Sequence, residues 1–250
     1  MWAIAQSIVL HNVRRAHILG LAMVAMVLIW SSVDPYVSAV DLKLGDLWPT
    51  RQALWASIAM TLIVVLQELP KEMDSRFHLV LLSKPISRYD YLLGKIIGIY
   101  MFSSIIMSVL VVFAFVAAWF QCEHGVFIGV NLLLPWFHYM LYLWLFSVVA
   151  GIAGAFLSEA FCIMTVGVVL AGSYSVGILP MLKESGDFGT GMGLMFKALY
   201  YMVPNFQYFG PSNFDRYGFS TSLYLILYVV GYTLLVLPLA LKKFEQQSFM

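Results

Sequence analysis

Charge is scarce in this chain of 250 residues: only 11% are Asp, Glu, Lys or Arg, where a soluble domain carries about a quarter. With 62% hydrophobic residues and a mean hydropathy of +0.87, too little polar surface exists to cover a water-facing globule. Soluble, fibrous and disordered classes are excluded, and most of the solvent must be lipid. Cysteine is scarce too: Cys122 and Cys162 are the only two, which excludes a disulfide-dense scaffold and a multi-cysteine metal site. They fall near opposite ends of predicted spans, so no bridge between them is geometrically possible, and both read as small buried hydrophobes. A net charge of +1 excludes nucleic-acid binding through a broad basic face. No phosphate-binding loop is present, because Gly94-Lys95 has Tyr89 where the first glycine belongs and Ile96 where the hydroxyl belongs.

Ionisable residues within the apolar runs are almost absent, which argues against proton- or ion-coupled transport. Glu159 falls in a short turn. His11, His17, His78, His124 and His138 include no i, i+4 pair and read as polar interfacial residues, not haem or zinc ligands. Cys122, Glu123 and His124 read as a surface cluster. No paired carboxylates and no Ser/Lys or His/Asp constellation fall at membrane depth, so an intramembrane enzyme is disfavoured.

What remains is apolar sequence punctuated by charge. A helix needs about twenty mostly apolar residues to cross the hydrocarbon core. Six runs serve: between Arg15 and Asp34, between Arg51 and Glu68, then Ile96 to Cys122, Gly125 to Ser158, Ala160 to Leu182 and Tyr217 to Leu241. The fold class expected is an all-α integral membrane protein of six spans, with one membrane domain over residues 1–250. Trp30, Trp48, Trp119 and Trp136 fall near span ends, as an interfacial belt requires. Ser103, Ser104 and Ser108, and Ser173, Tyr174 and Ser175, suit either a pathway lining or helix packing through small polar groups, with packing favoured.

Basic residues are retained on the cytoplasmic side. Arg14, Arg15, Lys71, Arg76, Lys84, Arg88, Lys95, Lys242 and Lys243 fall on one side, against Lys43, Arg51, Lys183, Lys197 and Arg216 on the other. Both termini are therefore expected in the cytoplasm. Residues 1–16 suit an interfacial helix better than a signal peptide, with Ile4, Ile8, Val9, Leu10 and Ile18 on an apolar side and His11, Arg14 and Arg15 on a basic one.

Amphipathicity and turn signals concentrate between Glu68 and Lys95. On a helix starting near Pro70, Met73, Phe77, Val80 and Leu81 share one face, while Lys71, Glu72, Asp74, Ser75, Arg76 and His78 take the other. Lys84-Pro85 ends that helix, and Ser87 with Asp90 reads as the capping box of the next. The pattern by itself also suits a helix lying passively on the inner leaflet.

The stretches Lys71-Glu72-Met73-Asp74-Ser75, His78-Leu79-Val80-Leu81-Leu82-Ser83-Lys84-Pro85-Ile86-Ser87-Arg88 and Tyr91-Leu92-Leu93-Gly94-Lys95 resemble the coupling-helix region of type-2 ABC export permeases. The similar branch includes the permeases of nitrous-oxide reductase maturation and gliding motility. Tyr200-Tyr201-Met202-Val203-Pro204-Asn205 is similar to a segment before their last span, and Arg76-Phe77 departs from the Gly-Thr usual in the coupling helix.

The resemblance implies that the loop over 70–88 docks on a separate ABC-type ATPase. Met73, Phe77, Val80 and Leu81 form an apolar anchor, toward either the ATPase or the bundle. Lys71, Glu72, Asp74 and Arg76 set register, and Ser83, Lys84, Pro85 and Arg88 form a stiff corner. It also implies two ATPase copies carrying the ATP and magnesium, and a second permease copy or paralogue. The location implied is a bacterial inner membrane, and residues 183–216 are implied to hold short re-entrant or interfacial helices. Non-catalytic export by alternating exposure is the leading function. A mechanical transmitter that moves no cargo is the alternative.

Overall fold

Where lipid offers the backbone no hydrogen-bond partner, a chain must satisfy its own amides, and a single segment does so only as a helix. The structure, a computed structural model, describes residues 1–32, 48–69, 87–121, 133–175, 204–209 and 214–246. Its helices are α1 (Trp2–Val13), α2 (Ala16–Ser32), α3 (Trp48–Glu68), α4 (Arg88–Gln121), α5 (Leu133–Phe156), α6 (Glu159–Ser175) and α7 (Phe214–Gln246), with a 3-10 turn at Phe206–Phe209. Among the described residues there is no strand.

Among the described residues, three stretches are long and apolar enough to cross a bilayer: Tyr89–Ala117, Pro135–Phe156 and Ser222–Lys243. The helices α1 and α2, bent by 67° at their junction, qualify together as one broken span, and α6 is an apolar helix of shorter length. With 21 residues α3 is long enough, but Arg51, Gln52, Gln67 and Glu68 at its ends dilute the apolar middle.

The helix α5 is the hub. Its apolar stretch is 72% buried, against 17% for that of α7, because α5 touches α3, α4, α6, α7 and the 3-10 turn. The periphery is apolar instead of charged: Met23 and Val27 on α2, Met164 and Val168 on α6, and Leu235 and Leu239 on α7 are each more than half exposed. In water such faces would associate; in hydrocarbon they are the expected exterior.

From α2 onward, successive helices alternate in direction, so α5 and α7 run parallel. At one end Arg15 (start of α2) reaches Gln67 (end of α3), and the Lys243 ammonium lies 5.5 Å from the ring centre of Phe156, at the end of α5. At the other end Trp30 meets Phe113 at 6.3 Å, and His138 meets Ser222 at 2.9 Å. Arg14, Arg15, Lys95, Lys242 and Lys243 thus share an end, and Arg51 sits at the opposite one.

The small polar residues of α4 serve packing. The hydroxyls of Thr61 and Ser103 are 2.7 Å apart across α3 and α4, and each also lies within reach of the carbonyl four residues back. Ser104 and Ser108 donate to their own helix, and the Trp136 indole donates to Ser108 at 3.3 Å, so this indole turns inward from the expected belt. Cys162 is buried; Cys122, and with it the Glu123 and His124 cluster, lies outside the described residues.

Candidate functional site

Of the loop over 70–88, the structure describes only the two roots. Lys71, Glu72, Met73, Asp74, Arg76, Phe77, Val80, Leu81, Ser83, Lys84 and Pro85 lie outside the described residues, and Arg88 is described as the first residue of α4 without its side chain. The roots are Glu68-Leu69, leaving α3, and Ser87 to Lys95, entering α4.

The second root begins as the capping signal requires. The Asp90 amide donates to the Ser87 hydroxyl oxygen at 3.0 Å, and that hydroxyl donates to the Asp90 carboxylate at 2.8 Å. One amide left orphaned at the helix start is thereby satisfied. Replacing an N-cap serine by alanine costs about 1 kcal/mol. Ser87→Ala should therefore raise amide exchange over the first turn of α4 roughly fivefold, measured by hydrogen exchange in detergent; unchanged exchange would show that the cap does not hold this root.

A polar node joins both roots to α1. Lys95 donates to Glu68 Oε2 at 2.9 Å, and the two side chains are only 6% and 8% exposed. Asn12 of α1, fully buried, donates from Nδ2 to Glu68 Oε1 at 3.2 Å and to the Ile8 carbonyl at 2.9 Å. The Arg15 guanidinium stands 3.7 Å from Glu68 Oε1, donates to Gln67, and meets the His11 imidazole. One carboxylate thus faces two cations and an amide. Burying a lone carboxylate is prohibitive, and this one is tolerated because its charge is matched and its oxygens accept hydrogen bonds.

Bare helix faces bring these groups together. A Cβ on Gly98 would lie 2.9 Å from the Ala5 Cα and 2.8 Å from Ile8 Cδ1; one on Gly94 would lie 3.0 Å from the Met1 carbonyl. The i, i+4 glycines of α4 form a groove in which α1 lies with its backbone close. Leu69, just past Glu68, packs on Gly154 near the end of α5, where an added Cβ would come within 3.2 Å of Leu69 Cβ. The first root is thereby clamped between α1 and α5, and the second is fastened to α1 and, through Lys95, to the first.

This arrangement corrects several expectations. Glu68 and Lys95, which bound apolar runs in the sequence without falling inside them, are nevertheless buried within the bundle. The helix α1 does exist, and Ile4 and Val9 pack against the core, but its buried face is Ala5, Ile8 and Asn12, and Leu10 is 56% exposed. Its partner on that face is α4. Hydropathy does not single out Asn12, which belongs to neither the apolar nor the basic side of the helix. The legible signal was Gly94-x-x-x-Gly98 next to a lysine.

A second polar region lies at the far end. His138, expected at an interface, is fully buried and bonded to Ser222 across α5 and α7. Of the segment 183–216, residues 204–209 enter the bundle. The Asn205 amide donates to the Tyr228 hydroxyl at 2.8 Å, and Phe206 packs on Tyr142 with ring centres 4.6 Å apart. Residues 183–203 and 210–213 lie outside the described residues. Among the described residues no three His, Cys, Asp or Glu side chains gather as metal ligands. No protein-family model and no curated protein sequence matches the chain.

Proposed function

We propose that this chain is the membrane subunit of an ATP-driven exporter, in which a separate ABC-type ATPase docks on the loop over 70–88. The helices α2 to α7 are its six spans, and the end that gathers Arg14, Arg15, Lys95, Lys242 and Lys243 faces the cytoplasm of a bacterial cell. Two ATPases, which bind the ATP and magnesium, work on two permease subunits. Closure of the ATPase pair pushes on the loop and exposes a path between the permeases alternately to each side.

The observation that carries this reading is the clamped pair of loop roots. A loop that merely rests on a membrane needs no buried ion pair at its base, whereas a loop that passes on a push must not yield where it joins the spans. Glu68 and Lys95 meet that need, since α3 and α4 cannot separate at this end without stranding a buried charge. The resemblance of residues 71–95 to coupling-helix segments supplies the identity of the partner.

The test is functional. Phe77→Asp combined with Arg76→Glu should abolish stimulation of the co-purified ATPase while membrane insertion is unchanged; full stimulation would refute the docking role. Uptake of cargo into inverted vesicles separates export from mechanical transmission, since a transmitter hydrolyses ATP and accumulates nothing.

A further inference from the structure

We propose that the cleft between α2 and α3 is a binding site for one acyl chain of an anionic phospholipid of the inner leaflet, whose phosphate is held by Arg14 and Arg15. This rests on the membrane reading and the orientation above, and not on the ATPase.

The cleft has a volume of about 350 Å³ and is lined almost wholly by apolar groups, among them Leu21, Val24, Leu28, Trp55, Ala56 and Ile63. At roughly 30 Å³ for a group the size of a water molecule or a methylene, it holds about a dozen such groups. That fits much of an acyl chain and is far too little for a helix of a second copy. Its residues on α2 begin six positions after Arg15, about 9 Å along the axis at 1.5 Å per residue. The cleft therefore starts at the depth where acyl carbons begin if the phosphate lies level with Arg15.

Charge at that end favours an anion. Arg15 and Lys95 face one carboxylate in the node, Glu68, which Lys95 already neutralises at 2.9 Å, and Arg14 adds a further positive charge next in sequence to Arg15. Arg14 is exposed, and among the described residues its side chain makes no hydrogen bond or ion pair. The Arg15 side chain keeps 26% exposure while holding Gln67 and Glu68. Guanidinium groups bind phosphate through paired N–H donors, and basic residues near a bilayer surface attract anionic headgroups.

Trp55 reports on the cleft directly, being a lining residue that is 43% exposed. The full chain is reconstituted in phosphatidylcholine vesicles containing a brominated-chain lipid, either phosphatidylglycerol or phosphatidylcholine. Because the chain has seven tryptophans, the Trp55 signal is taken as the difference between the native protein and Trp55→Phe. Brominated phosphatidylglycerol should quench it at about one fifth of the mole fraction that brominated phosphatidylcholine needs. Arg14→Gln should weaken that preference several-fold and Arg14→Lys should keep it. Equal quenching by both lipids, or a preference untouched by Arg14→Gln, would overturn the site. Absence of quenching by either would also overturn it, by placing protein in the cleft. ATPase binding in the same vesicles is read separately, and its failure beside an intact lipid preference would count only against the exporter.

Discussion

Lys95→Met should destabilise the protein by about 3 to 5 kcal/mol, the usual consequence of stranding one member of a buried ion pair. At roughly 2 to 4 °C per kcal/mol for a chain of this size, the melting temperature in detergent should fall by about 10 °C. Glu68 keeps Asn12 and Arg15 as neighbours, so Lys95→Met should cost less than Glu68→Leu, which leaves a buried ammonium without the carboxylate 2.9 Å away. The double variant Glu68→Leu, Lys95→Met should recover most of the loss. Arg15, partly exposed, can turn its head to water, and two apolar side chains fill the space. Melting curves of the two single variants and the double variant check this as a cycle. Additive losses would show that the pair is not a unit.

Gly98→Leu should detach α1. The atoms a new side chain meets first include backbone, Ala5 Cα at 2.9 Å and its carbonyl at 3.1 Å, which cannot swing aside as a side-chain tip does. Overpacking of this kind costs about 1 to 3 kcal/mol. The larger consequence is that Asn12 and Arg15 leave Glu68. Cleavage by trypsin after Arg14 and Arg15, where the packed elbow now holds the backbone in fixed geometry, should accelerate at least about tenfold, as expected for a loss of 1.4 kcal/mol or more in local closing energy. Gly20→Ala on α2 is the control, since nothing lies within 4 Å of its added Cβ. Equal cleavage in both variants would show that the contact with α4 does not hold α1 in place.

The physical character of each segment decided how much of it could be read from sequence. Charges bracketing apolar runs located the helices, and the break between α5 and α6 falls at Ser158, beside the Glu159 that marked it. Ser87 and Asp90 placed the start of α4 because a cap is a local interaction between residues three apart. What hydropathy does not encode is partnership. In a helix that is apolar all round, the face toward the bundle looks like the face toward lipid, so the burial of α5 and the exposure of α7 were invisible. Glu68 and Lys95 are 27 residues apart and meet only once α3 and α4 pack, so the sequence pattern alone does not pair them. Asn12 is read correctly only when the glycine groove of α4 is seen to receive α1.

The coupling role of residues 70–88 is most directly tested by placing a photo-crosslinking amino acid at Phe77 in the full chain, in cells that carry its natural complement of partners. Illumination should join the chain to an ATPase subunit, and the yield should change when ATP hydrolysis is blocked. Crosslinks to lipid or to the chain itself, with no nucleotide-dependent protein adduct, would contradict it.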